Sequence, residues 1–232
     1  MDETSAGNTA FGLSISLAFI GGYADAASFL LASTFTGHLT GNCILAAVSA
    51  ACKEWSLAMD RLLAVTVFLA GILCSLTLSR FLPVRLRRYS LAIAMFIEAF
   101  LILSACLFLA NRANHEPFIV SMCLALGIQN DALRKTNGIS VHSTYMTGMV
   151  TTLIQKGFQH FFSRQSPEPD SAKHSAGPAI RVLAPMWISF LFGALAGALM
   201  VASFHSFGLL GIVLLLIVLI CAEIKTVSLV FD

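Results

Sequence analysis

Charge is what this sequence has least of. Only 11% of its 232 residues are Asp, Glu, Lys or Arg, where a soluble domain carries about 25%. A deficit that large excludes an ordinary water-facing surface. The net charge of +2 is too small to mark a nucleic-acid partner. The first ten residues, "MDETSAGNTA", contain no Lys or Arg. A cleaved signal peptide needs a basic start, so the chain from Phe11 onward is expected to remain as a membrane span. The six cysteines (Cys43, Cys52, Cys74, Cys106, Cys123, Cys221) show no CxxC spacing, and most lie in apolar segments. A disulfide framework and a zinc site are both unsupported. Neither HExxH nor the G-x-S-x-G turn occurs. No cofactor, no metal and no enzymatic activity are expected.

Apolar residues fill the gap, at 57% of the chain with a mean hydropathy of +0.84. Leu62 to Ser79 runs without a charge, and so does Val182 to Ala222, broken only by "FHSFG". A spanning helix needs about 20 apolar residues, so the second run accommodates two spans and a tight turn. Eight apolar segments can be marked, at 11–32, 36–52, 62–82, 89–111, 117–134, 139–162, 182–203 and 207–224. The stretch 163–178, "SRQSPEPDSAKHSAGP", reads as a solvated polar loop. The fold class is all-α, a polytopic transmembrane helical bundle forming one integral membrane domain.

Against this background two stretches stand out, "GGYADAASFLLASTFTGHLTGN" (21–42) and "GIQNDALRKTNGISVHSTYMTG" (127–148). Gly21, Asp25 and Ala26 match Gly127, Asp131 and Ala132 at a shift of 106, and Ser33, Thr40 and Gly41 match Ser140, Thr147 and Gly148 at 107. In each half the polar motif precedes two plainer apolar segments. That suggests structural repeats, one about 11–111 and one about 117–225, with interrupted helices. Eight full crossings would spread Lys and Arg almost evenly over both sides. Three net crossings per half would place nine on one side against Lys53, Arg61 and Arg112 on the other. The second count fits the cytoplasmic excess of basic residues. It implies an inverted repeat, both termini cytoplasmic and a re-entrant or broken member in each motif.

An ionisable side chain inside a span is costly and marks either function or a structural partner. Asp25 and Asp131 each read as a cap for the backbone that follows or as part of a solute site. Glu98 is the one charge in segment 89–111. Burial disfavours its charged form, which would suit a proton-coupled step, as would Asp131; pairing with Arg134 or Lys135 is the structural alternative. His38, Thr40, Asn42, Gln129, Asn130, His142 and Thr147 add uncharged donors and acceptors. With Asp25 and Asp131 they make the candidate solute-binding set. Gly21, Gly22, Gly41, Gly127 and Gly148 are candidate helix breaks. "GALAG" (193–197) has GxxxG spacing, which favours close helix packing and allows a homo-oligomer.

"GYADAASF" with "HLTGN", and "LGIQNDALR" with "TYMTG", resemble the YoaK family of bacterial membrane proteins, which carry a domain of unknown function. The resemblance spans nearly the whole chain and implies a multi-pass inner-membrane protein of about six helices without a settled activity. His38 stands where that pattern often has Asn, and Asp131 where a small residue follows Gln-Asn. Together these features lead to the expectation of a small secondary transporter or exporter. Its partners would be the lipid bilayer and a small polar or anionic solute held at the midplane between the repeats. The alternatives are a structural or regulatory membrane protein and an intramembrane enzyme.

Overall fold

Long apolar runs close their own backbone hydrogen bonds in lipid by forming helices, and the sequence does so segment by segment. The computed structural model describes residues 3–110, 115–132, 135–136, 139–140, 146–162 and 170–231. Within these residues lie α1 (Glu3–Ala32), α2 (Leu39–Ala51), α3 (Trp55–Phe81), α4 (Val84–Arg87) and α5 (Ser90–Ala110). They are followed by α6 (His115–Ala132), α7 (Met146–Phe162), α8 (Asp170–Phe204) and α9 (Leu210–Phe231). A 3-10 turn, His205–Leu209, separates the last two helices. The two-residue strands β1 (Lys135–Thr136) and β2 (Ile139–Ser140) pair antiparallel. The fold is all-α.

Helix ends follow local chemistry. Ser33, Lys53 and His205 take positive φ of 52°, 65° and 50°, the left-handed geometry that stops a helix. Pro83 ends α3 by forcing Leu82 into extended backbone at ψ 130°. Several boundaries differ from expectation: α1, α3 and α8 begin earlier than the apolar segments, α7 begins later, and α9 runs past residue 224. Helix α8 begins at Asp170, so the later part of the 163–178 stretch is helical rather than loop. Its Ala and Lys residues are good helix formers, and an acidic residue suits a helix start. Among the described residues, four apolar helical stretches are long enough to cross a membrane: Phe11–Ala32, Trp55–Phe81, Ser90–Ala110 and Ala179–Ser228. The last contains most of α8 and α9. Leu73, Phe96, Phe192 and Leu214 are exposed, whereas Asp25, Asn42, Arg61, Glu98 and Gln129 are buried. Apolar outside and polar inside is the arrangement a bilayer demands.

Cross-helix contacts fix the directions. The Ser189 hydroxyl donates to Ile15 O (2.9 Å), and Gly193 and Gly197 lie against Phe19 and Tyr23. The two sequences rise together, so α1 and α8 are parallel. Gly71 rests on Leu124 and Gly127, and Ser75 and Ser79 share a cavity with Asp131 and Ala132. Helices α3 and α6 are therefore parallel too. Gln129 Nε2 donates to Leu17 O (2.9 Å), while Cys123 Sγ lies 4.0 Å from Phe35 O, which makes α6 antiparallel to α1. Ala94 shares a cavity with Asp131, and Ile97 shares one with Leu124 and Ile128, so α5 opposes α6. Cys106 faces Ser206, and Ile93 faces Ile220, so α9 opposes α5. The long helices thus alternate α1, α3, α5, α6, α8, α9, and neither α2 nor α7 adds a net crossing. The start of α1 and the end of α9 lie at the end that also carries Arg80–Arg88.

The glycines expected to break helices do something else. Gly21 and Gly22 lie inside continuous α1, and Gly127 lies inside α6. Gly41 and Gly148 sit in the first turns of α2 and α7. At Gly22 an added Cβ would collide with Phe190 O of α8, and at Gly127 with Phe68 O of α3. These positions need the absence of a side chain, not backbone freedom, because two helix backbones touch there.

Gly22→Ala and Gly127→Ala should each lower the melting temperature in detergent, at a cost of about 1–3 kcal/mol or more from overpacking. Gly157→Ala in α7, where a Cβ meets nothing within 4 Å, should be neutral or stabilising by up to about 1 kcal/mol. Equal melting of all three variants would contradict the seam.

Candidate functional site

Between α1 and α2 the chain reverses and descends again. Asp25 lies seven residues before the end of α1, about 10 Å below it. Its Oδ1 accepts from Thr36 N (2.9 Å), Gly37 N (2.6 Å) and the Thr36 hydroxyl (3.3 Å). Residues 33–37 therefore turn back alongside α1 to the level of Asp25. Helix α2 then climbs out antiparallel to α3, which makes a re-entrant hairpin. Its 13 residues measure about 20 Å, short of the roughly 30 Å hydrocarbon core.

Three elements hold the descending strand. Asn42 from α2 accepts from Phe35 N (3.0 Å) and donates to Phe35 O (2.7 Å). Arg61 from α3 donates to Ser33 O through Nε (3.3 Å) and Nη2 (3.1 Å). Its Nη1 reaches Leu45 O (2.8 Å) and Ser49 Oγ (2.6 Å). Phe35 stacks on Phe29 with ring centroids 4.7 Å apart. Asp25 Oδ2 faces His38 Nδ1 at 3.5 Å, and His38 is partly exposed. The carboxylate thus serves the strand before α2. The helix's own N-cap, His38, makes no side-chain cap bond.

The remaining candidates are dispersed. Thr40 and Thr147 are exposed, Gln129 is buried, and Asn130 and Asp131 are half-buried. His142 lies outside the described residues. Asp131 lines an open cavity of about 140 Å³ with Ser75, Leu78, Ser79, Ser90, Ala94 and Ala132. This cavity does not reach Asp25. Leu17 is level with Gln129, and eight residues of α1 separate it from Asp25, about 12 Å along the axis. Asp25 and Asp131 therefore sit toward opposite ends of the bundle. The expected convergence of both motifs on one midplane site is not seen among the described residues, because α1 and α6 run in opposite directions.

Glu98 occupies a different kind of place. It is 0% exposed, and neither carboxyl oxygen has a hydrogen-bond partner among the described residues. It follows Ala94 by one turn of α5, on the same face, so it lies about 6 Å deeper than a wall of the Asp131 cavity. Among the described residues no cluster of His, Cys, Asp and Glu could hold a metal ion.

Arg61 is the residue that sequence reasoning undervalued. The sequence reads it as a loop charge beside the 62–82 segment, yet it is 6% exposed and donates to Leu45, Ser49 and Ser33. Its position one residue before a long uncharged run was the available signal.

Residues 13–222 match the DUF1275 family, described as a protein of unknown function. The chain belongs to that family. No curated protein and no solved structure matches it at a significant level.

Asp25→Ala should strand the Thr36 and Gly37 amides and cost about 2–6 kcal/mol, since each buried orphan costs about 1–3 kcal/mol. Asn42→Ala should cost about 1–3 kcal/mol for the same reason. Thr40→Ala, at an exposed site, should change stability by less than about 0.5 kcal/mol. Detergent unfolding curves check the order, and a silent Asp25→Ala would contradict the latch.

Proposed function

We propose that this membrane protein is a small proton-coupled secondary transporter carrying a small polar solute, and that it sits in the bacterial inner membrane, the location the YoaK resemblance implies. One observation supports this above the rest. Glu98 is a buried carboxyl without a hydrogen-bond partner among the described residues, one turn below a polar cavity. Intramembrane carboxyls of this kind serve proton relays. The cavity supplies hydroxyls from Ser75, Ser79 and Ser90 and a carboxylate from Asp131. That polar lining suits a small polar solute.

The helix directions favour two halves of opposite orientation, α1–α5 and α6–α9, the arrangement that alternating access uses. The Arg80–Arg88 end would then be cytoplasmic by the excess of basic residues, together with both termini. In this reading Asp25, Asn42 and Arg61 set the shape of the hairpin and do not touch solute. A structural or regulatory role is the second reading, favoured by the complete engagement of Asp25 Oδ1 with backbone and hydroxyl donors.

Proteoliposomes test the proposal with a panel of small amines, amino acids and polyols, with and without a pH gradient. The expected result is proton-driven flux that falls at least about tenfold in Glu98→Gln, a size typical of a lost proton-transfer group. No flux across the panel, or full coupling in Glu98→Gln, would overturn it.

A further inference from the structure

A second site lies at the basic end, in the groove between α5 and α9. Pro83 and the short α4 carry the chain across the end of the bundle and present Arg85, Arg87 and Arg88 to the exterior. Phe81 and Val84, 82% and 79% exposed, sit among them. Arginines interleaved with exposed apolar side chains suit the level where headgroups meet acyl chains. The Arg88 guanidinium lies over the Tyr89 ring, 4.9 Å from its centroid. Tyr89 in turn forms the mouth of a groove of about 390 Å³ between α5 and α9, walled by Ala92, Ile93, Phe96, Ile220 and Ile224. One residue therefore joins a cationic rim to an apolar channel that descends about 10 Å along α5. On α9, Glu223 and Lys225 flank this level with opposite charges, and Asp131 of α6 lies at the same end, so the four arginines between Arg80 and Arg88 leave the end net positive.

We infer that this groove is a binding site for an anionic phospholipid. One acyl chain lies against Ile93, Phe96 and Ile220, and the phosphate is held by Arg85, Arg87 and Arg88. A channel without charge at its mouth would accept any lipid. The arginines supply selection, because guanidinium pairs with phosphate oxygens in a fixed, two-pronged geometry. Basic pockets between spanning helices are the usual form of anionic-lipid recognition. The site is independent of the transport reading and stands if that reading fails.

The test is native mass spectrometry of the full-length protein in detergent with added phosphatidylglycerol or phosphatidylcholine, alongside thermal melting. Phosphatidylglycerol should be retained on the order of tenfold more than phosphatidylcholine and should raise the melting temperature. The combined variant Arg85→Gln, Arg87→Gln, Arg88→Gln should lose the preference, and high salt should weaken it in the unaltered protein. Ile93→Trp, which fills the groove and leaves the charges in place, should reduce retention of the anionic lipid. Equal retention of the two lipids would overturn the site, as would a preference that survives the arginine changes. A preference unaffected by Ile93→Trp would reduce it to surface attraction without a groove. Dimers that exclude lipid would assign the groove to a second copy of the chain.

Discussion

A backbone amide without a partner costs several kcal/mol inside a bilayer, and residues 33–37 lie where that penalty applies. Their polar groups cannot join a helix, because the chain there is reversing direction. Side chains take the place of a helical ladder: Arg61 donates to Ser33 O, Asn42 brackets Phe35, and Asp25 accepts from Thr36 and Gly37. The partners come from α3, α2 and α1 respectively. A positive and a negative side chain grip the same short strand from two helices. The charges that looked anomalous in so apolar a sequence satisfy backbone that lipid would leave bare.

From that latch the topology follows. Because α2 turns back instead of crossing, α3 begins at the end where α1 stops, and every later helix inherits its direction from this choice. The seams then form between parallel neighbours. Gly22, Gly193 and Gly197 bring α1 and α8 into backbone contact, and Gly71 with Gly127 does the same for α3 and α6. Close approach of this kind replaces the hydrophobic drive that is missing between helices in lipid. Tyr23 extends the first seam by donating its hydroxyl to Gly208 O beyond the end of α8.

Much of this was legible in advance. The longer helices could be read because lipid enforces long apolar runs, and each of the eight marked segments contains a helix; the short α4 and several helix ends, which extend into polar sequence, could not. The pairing of Asp25 with the backbone eleven and twelve residues onward could not be read, since it depends on how tightly the chain folds back. Gly21, Gly22 and Gly127 looked like breaks because glycine in a polar motif suggests freedom. What Gly22 and Gly127 provide is vacant space against a neighbouring helix, which only tertiary contacts reveal. Sequence alignment of Asp25 with Asp131 suggested a shared site. Antiparallel α1 and α6 place such equivalent positions at opposite ends unless they lie at the crossing point. Arg61 reads as a loop residue because a charge beside a span has no other mark in the sequence. Glu98 was the reverse case, since a lone carboxyl in mid-span announces itself, and it lies buried beside a polar cavity.

The hairpin that re-enters without crossing carries the whole account, and sidedness tests it directly. Single cysteines at Ser5, Lys53, Arg88 and Lys173, in a chain with its native cysteines replaced, can be labelled with an impermeant maleimide in oriented vesicles. The account predicts that Ser5, Arg88 and Lys173 react from one side and Lys53 from the other. Labelling of Ser5 and Lys53 from the same side would mean that α2 crosses, and would contradict it.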